Sequence, residues 1–177
     1  MTKIKANHPL IQRYLDFLDC VNWGVRLVGG VLLVLMSISV FSSVASRYLT
    51  NMSWAWIEEG SLFLMVWVVV LGTTLAIEAK HMIAVEAFAS QFSGTTWKVL
   101  KTVVSLTAMA FVAILMVSGW NMAKLAEMQF SITISRLSMF WVYLAIPVGS
   151  FLMLLNLLGN LIKLWTMNDQ QVSEVLE

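Results

Sequence analysis

The sequence has few of the charged residues that a soluble protein needs. Only 12% of its 177 residues are charged and 59% are hydrophobic, whereas soluble domains carry about 25% charged residues. So few charges cannot cover the surface of a water-soluble globule, and the chain is predicted to lie in a membrane. The net charge of +1 comes without a basic stripe, so the sequence gives no indication of nucleic-acid binding.

Cysteine and histidine are also scarce. The single cysteine, Cys20, cannot form an intrachain disulfide, which excludes a dithiol redox mechanism. The two histidines, His8 and His81, are too few for a haem or a metal site. Serine and threonine are numerous, but the apolar segments offer no base to activate them and no Gly-rich phosphate loop. We therefore expect no enzyme activity, no cofactor and no metal.

The charges that are present separate four long apolar stretches, each able to cross a hydrocarbon core of about 30 Å. In lipid each stretch must be helical, because every backbone N–H and C=O group has to find its partner within the segment. The sequence thus predicts an all-α integral membrane protein, a single domain over 1–177 with four transmembrane helices. The predicted spans are residues 27–46, 58–77, 102–123 and 138–162.

Two further segments have the amphipathic helical spacing of helices that lie in the membrane interface. One covers residues 9–22, before the first span. The other covers residues 84–93, between spans two and three, and could instead extend a neighbouring span. We expect both to be interfacial helices in contact with membrane lipids.

Lysine and arginine are unequally distributed between the two sides of the predicted membrane. Eight of the 11 lie in the N-terminal segment, the second connection and the C-terminal tail, and three lie in the other two connections. Because positive residues favour the cytoplasmic side, both termini are predicted to be cytoplasmic. The residues before the first span match a cleavable signal peptide poorly, so we expect that helix in the mature protein.

Charged residues at the predicted outer ends of the spans form a rim with three charges of each sign. Enzymes and ion-coupled carriers usually keep ionisable groups inside their spans, and here the span interiors have none. One interpretation is snorkelling and local salt bridges, including a brace between Arg47 and Glu58 or Glu59. The other is a docking surface that orients a soluble partner. The rim consists of Arg47, Glu58, Glu59, Lys124, Glu127 and Arg136.

Small residues and one proline indicate how the helices pack. Gly72 and Ala76 are four residues apart, as small residues are where helix backbones approach closely in lipid. They predict either a packed bundle or an interface with a partner. Pro147 lacks a backbone donor and is predicted to kink the fourth span.

Several short motifs occur in a recognisable order. Around the first outer connection and the second span these are Arg47-Tyr48, Trp56-Ile57-Glu58-Glu59, Trp67, Gly72, Ala76 and His81. Around the fourth span they are Gln129-Phe130-Ser131, Trp141, Tyr143 and Ile146-Pro147-Val148-Gly149. Taken together, they resemble the small membrane subunit of tripartite ATP-independent periplasmic (TRAP) transporters, the DctQ-like family.

The resemblance implies a four-helix protein of the bacterial inner membrane with both termini cytoplasmic. It also implies two partners, a large multi-span membrane subunit that holds the substrate and ion sites and a periplasmic substrate-binding protein. Such transporters import organic acids, with sialic acid and C4-dicarboxylates both familiar, commonly by sodium symport. The small subunit would brace the large one and help dock the binding protein. Arg47, Tyr48, Trp56 and Glu59 would be the signature of the outer connection, with Glu59 the preferred brace or docking residue.

Two other classes of function remain to be compared with this one. A small self-contained proton-coupled carrier acting as a homo-oligomer would need Glu58 or Glu59 well inside the bilayer, whereas the sequence places both near its edge. A membrane enzyme would need a buried catalytic constellation, and the sequence offers none.

Overall fold

The computed structural model describes residues 9–50, 54–78, 95–131, 133–134 and 137–166. Within them, four segments are long and apolar enough to cross a membrane, which confirms the predicted all-α membrane fold: Ile11–Leu49, Ala55–Glu78, Val99–Met128 and Phe140–Trp165. The helices are α1 (Pro9–Thr50), α2 (Ala55–Glu78), α3 (Thr95–Leu125), α4 (Phe140–Tyr143) and α5 (Ala145–Thr166), with a 3-10 turn over Ala126–Met128.

Helix α1 is longer than predicted. In place of a separate interfacial helix over 9–22 and a span over 27–46, one helix runs without a break from Pro9 to Thr50. At about 1.5 Å per residue its 42 residues extend about 63 Å, roughly twice the hydrocarbon thickness. The apolar side of its first turns is covered by protein, because Leu15 and Leu18 are buried. The other predicted interfacial helix, over 84–93, lies outside the described residues.

The fourth span comprises α4 and α5, which adjoin at Leu144. The Leu144 backbone is itself helical, and the Leu144 and Val148 N–H groups donate to the Phe140 and Leu144 carbonyls at 2.9 and 3.2 Å. Pro147 provides no N–H for the carbonyl of Tyr143, four residues earlier, and its ring crowds that carbonyl. A kink at Pro147 stays a prediction. Pro147 itself is buried against α3, since a Cβ atom added to Gly119 would lie 3.2 Å from the Pro147 Cδ atom.

Helices α2 and α5 occupy the inner positions of the fold. Helix α1 packs along α2, α2 packs along α5, and α5 packs along α3. Among the described residues, α1 and α3 make no backbone approach to each other, while α1 also reaches α5. A small apolar core of Val112, Met153 and Leu157 lies between α3 and α5, and Val70 and Ile77 of α2 pack against it. The two outer helices leave much of their apolar surface exposed.

Two glycines of α5 permit its close approach to neighbouring helices. A Cβ atom added to Gly149 would overlap the side chain of Val70 on α2, and one added to Gly159 would overlap Leu18 on α1. Small residues are the usual means by which helix backbones come close in lipid. Gly149 and Gly159 are thus packing glycines of α5, and Gly119 has the same role on α3, where an added Cβ atom would lie 2.6 Å from the Ile146 side chain.

A buried pair of amides joins α1 to α5. The Asn22 and Asn156 side chains exchange two hydrogen bonds, each donating its Nδ2 to the other's Oδ1, at 2.8 and 2.9 Å. About two turns further towards the start of α1, the Tyr14 hydroxyl donates to the Leu155 carbonyl at 3.0 Å. These bonds hold the first turns of α1 against α5.

The end of α2 is held by both of its neighbours. The Asn160 side chain of α5 donates to the Ile77 carbonyl at 2.8 Å, one of the last four carbonyls of α2, which lack a partner within the helix. Arg26 of α1 pairs with Glu78 at 3.0 Å. A cation at the C-terminus of a helix also compensates its dipole.

Candidate functional site at the rim end

The rim end is the end of the molecule at which α1 finishes and α2 begins. Here the Arg47 guanidinium pairs with the Glu58 carboxylate, to which the Ser43 hydroxyl also donates at 3.2 Å. The expected brace between Arg47 and one of the two glutamates is therefore present, and it uses Glu58. Because both charged side chains are partly exposed, the pair contributes about 0–1 kcal/mol. Its main effect is to fix the alignment of the two helices.

Two ion pairs delimit the α1–α2 hairpin. Arg47 pairs with Glu58 at the rim end, and Arg26 pairs with Glu78 at the other end. Between Arg26 and Arg47 the rise of α1 is about 31 Å, close to the hydrocarbon thickness of about 30 Å. The two pairs are therefore separated by about the thickness of the hydrocarbon core, and α1 carries no charge between them.

A short antiparallel hairpin connects α3 to α4. The Met139 N–H donates to the Gln129 carbonyl at 2.9 Å, and the Ser131 N–H donates to the Leu137 carbonyl at 3.0 Å. The sequence predicted only an outward-facing connection here, so this ordered shape is an additional finding. We call its described residues, 126–131, 133–134 and 137–139, the rim hairpin.

Glu59 holds the rim hairpin to α2. Its Oε2 atom accepts a hydrogen bond from the backbone N–H of Thr133 at 3.1 Å. The two adjacent glutamates thus act on different elements, Glu58 on α1 and Glu59 on the connection between α3 and α4. Together they tie α1 and the rim hairpin to α2 at the rim end.

The other charged residues predicted for the rim have separate surroundings. The Lys124 ammonium lies 5.5 Å from the centre of the Trp120 ring, a cation–π contact. Glu127 is exposed in the rim hairpin, where its backbone carbonyl accepts a hydrogen bond from the Ser138 hydroxyl at 3.2 Å. Arg136 lies outside the described residues.

Exposed aromatic side chains surround the α1–α2 connection. Tyr48 is largely exposed, and Trp56 stacks against Trp54 with ring centroids 6.2 Å apart. Tryptophan and tyrosine are typical of the boundary between lipid and water. These residues mark the level of that boundary at the rim end.

Gly72 and Ala76 are exposed on α2. A Cβ atom added to Gly72 would meet no other atom within 4 Å, so this residue makes no close helix contact within the chain. A packing role for Gly72 and Ala76 against a partner stays a prediction.

Many polar side chains of the described residues make contacts within the chain. The described residues contain no group of three or more His, Cys, Asp or Glu side chains that could hold a metal. Several hydroxyls within the spans bond to their own helices, as Thr74 does to the Val70 carbonyl at 3.0 Å. Every buried side-chain nitrogen and oxygen in this part of the chain has a hydrogen-bond partner.

Sequence reasoning missed three asparagines and two glycines. Asn22, Asn156 and Asn160 were not singled out because only ionisable groups were sought in the apolar segments. An amide in such a segment is itself a signal, since it is costly there without a partner. Gly149 and Gly159 were missed because close pairs were sought four residues apart, and these two contact different helices.

Comparison with known proteins matches the chain to a protein family. Residues 36–167 match the family model described as "Tripartite ATP-independent periplasmic transporters, DctQ component". The chain is also similar to the C4-dicarboxylate TRAP transporter small permease protein DctQ of Vibrio cholerae serotype O1, with 27% identity over 86 residues. The aligned stretch covers 49% of this chain and 37% of that relative.

Proposed function

The chain belongs to the DctQ component family of tripartite ATP-independent periplasmic transporters, and on this premise we propose that it is the accessory subunit of a secondary organic-acid importer. Membership makes it a small membrane subunit of such a transporter. In the proposed division of labour it braces a separate large multi-span carrier subunit and helps to receive a periplasmic substrate-binding protein. The large subunit holds the substrate and coupling-ion sites, with sodium as the ion.

The absence of charge from the span interiors is the observation that carries this proposal. Residues 27–46, 60–77, 102–123 and 137–162 contain no Asp, Glu, Lys, Arg or His. Ionisable groups inside membrane spans are costly and mark ion and substrate pathways. A subunit that supplies packing faces and a docking rim needs no such group, whereas a carrier acting alone does.

The packing of the described helices supports the bracing role. Helix α5 is fixed to α2 through Gly149 and to α1 through Asn156, and ion pairs align α1 with α2 at both ends. A unit held at so many points can support a mobile partner without deforming. The exposed surface, which includes the α2 face that carries Gly72 and Ala76, is available to lipid and to the large subunit.

We place the protein in the bacterial inner membrane with both termini in the cytoplasm. The distribution of lysine and arginine supports this orientation, and it puts the rim end on the periplasmic side. The rim end is then the part of the chain that a periplasmic binding protein can reach.

Uptake into proteoliposomes tests the proposal. Vesicles would hold this chain alone, a candidate large subunit alone, or both, with the binding protein outside. C4-dicarboxylates are the first substrates to try because the relative's name specifies them, and sialic acid is the second. We expect gradient-driven uptake only with both membrane subunits. Uptake by this chain alone would support the self-contained carrier and contradict the proposal.

A further inference from the structure

Two apolar side chains project from the rim hairpin. Met128 is 90% exposed and Phe130 is 63% exposed, although residues of these types are usually buried. They lie on either side of Gln129, whose carbonyl is bonded to Met139. The hairpin therefore presents a small apolar knob, which we define as Met128 and Phe130.

The backbone around the knob places it outside the hydrocarbon core. Irregular backbone that faces lipid does not occur within the core, because its N–H and C=O groups would lack partners. Phe130 is not in a helix, and Met128 ends the 3-10 turn. Glu59, which is bonded to Thr133 of the same hairpin, follows directly after the ion-paired Glu58 at the boundary of the core. The knob is thus at or beyond the boundary between lipid and water.

Three of the charges at the rim end already have contacts within the chain. Arg47 pairs with Glu58, Glu59 binds the hairpin backbone, and Lys124 lies over Trp120. A partner that approached through these charges would have to break existing contacts. The knob requires no such exchange, so the contact that this chain offers most readily is apolar.

The hairpin also presents the knob in a fixed position. Backbone bonds close the hairpin, Glu59 anchors it at Thr133, and the Ser138 hydroxyl bonds to the Glu127 carbonyl. Fixing a contact before binding lowers the entropy lost on association. Methionine and aromatic residues are also enriched at protein interfaces.

We propose that Met128 and Phe130 form the apolar contact through which this subunit receives the soluble substrate-binding protein. This inference rests on the proposed function and specifies where and by what chemistry the docking takes place. Docking would then depend on apolar contact with the knob, which the hairpin holds in place, and not on the charged residues of the rim.

Photo-crosslinking in intact cells tests the position of the contact. A photoreactive phenylalanine analogue replaces Phe130 in the assembled transporter, with a second probe at Ile114, an exposed residue of the third span, as the control. We expect the probe at position 130 to crosslink to the transporter's own substrate-binding protein and the probe at 114 not to. Crosslinks from position 130 to lipid alone, or to a membrane subunit alone, would overturn the inference.

Affinity measurements test the chemistry of the contact. The intact membrane complex in nanodiscs is titrated with purified binding protein, comparing wild type with M128S, with M128S/F130S and with the control L49S, another exposed apolar residue at the rim end. We expect the double variant to bind about 10- to 100-fold more weakly, the single variant to be intermediate and the control to be unchanged. Wild-type affinity should change by less than about threefold between about 50 and 300 mM salt.

Different results would contradict the proposed function and the proposed contact. If no large subunit copurifies with the chain, the proposed function fails. If the complex assembles but M128S/F130S binds as tightly as wild type, or L49S weakens binding equally, the knob is not the contact. A steep loss of affinity with salt would equally contradict an apolar contact.

Discussion

The side chains of Asn22 and Asn156 are hydrogen-bonded to each other in a part of the fold with few other polar groups. Each amide is buried, and each donates to and accepts from the other. Such a pair is worth little in net free energy, because both groups give up other hydrogen bonds to form it. Removing one partner is more serious, since it leaves a buried amide with nothing to bond.

The amide pair leads to a prediction about stability. We expect Asn156→Leu to lower the free energy of unfolding by about 1–3 kcal/mol, because Asn22 would remain buried and unsatisfied. The double substitution Asn22→Leu with Asn156→Leu should recover most of that loss. Thermal unfolding in detergent measures both. The control is Asn121→Leu on the exposed face of α3, and a double variant less stable than either single one would contradict the account.

Glu59 provides a second prediction at this scale. Replacing it with alanine removes the acceptor for the Thr133 N–H, so we expect that amide to exchange hydrogen for deuterium roughly tenfold faster. Glu59→Gln keeps an acceptor oxygen and should stay close to wild type. Hydrogen–deuterium exchange of the peptide containing Thr133 makes the measurement, with Glu127→Ala as control. Equal protection in the alanine and glutamine variants would rule out the anchoring role.

Single residues differ in how far the sequence could predict their contacts. The pairing of Arg47 with a glutamate was predictable, because opposite charges flank a short connection. The contact of Glu59 was not, since its partner is a backbone N–H that any residue could have supplied. The segment of α1 that contains Asn22 is amphipathic, and this pattern predicted a helix lying on the membrane surface. In the structure the apolar side of that segment covers α5 instead.

At the scale of elements, α5 organises the fold. It contacts α1, α2 and α3, and the span to which it belongs has the largest buried share of the four, 39%. Its two packing glycines lie ten residues apart and contact different helices. No regular spacing of small residues therefore marks them in the sequence. The lengths of the spans were predictable because the bilayer sets them, whereas the order in which the helices pack was not.

The close approach of α5 to α2 can be tested with a compensating pair. We expect Gly149→Ala to cost about 1–3 kcal/mol, because the new methyl group meets the Val70 side chain. Adding Val70→Ala should recover part of the loss by removing the overlapping methyl group. The matched control is Gly72→Ala, which has open space and should be neutral or stabilising by about 0.5–1 kcal/mol. Thermal unfolding in detergent distinguishes these cases, and a neutral Gly149→Ala would contradict the packing described.

At the scale of the whole molecule, the arrangement is open. Within the described part of the chain, the outer helices α1 and α3 do not approach each other, and the α2 face that carries Gly72 and Ala76 is exposed. In water such a surface would drive aggregation, but in a bilayer lipid can cover it. The same openness allows a large partner to pack against the subunit without rearranging it.

A substitution at Gly72 tests whether that face meets the partner. We expect Gly72→Leu to leave the thermal stability of the isolated chain within about 0.5 kcal/mol, as is usual for exposed positions, and to reduce copurification of the large subunit severalfold. Gly30→Leu is the matched control, because Gly30 on α1 also has open space around it. Full assembly with Gly72→Leu would show that the partner packs elsewhere.

Affinity purification of the tagged chain from solubilised membranes, with mass spectrometry of the proteins recovered, tests the central claim most directly. The account predicts one large multi-span membrane protein in constant ratio to this chain, and its identity would also indicate the substrate. Recovery of the chain solely as a homo-oligomer would contradict the accessory role and favour a self-contained carrier.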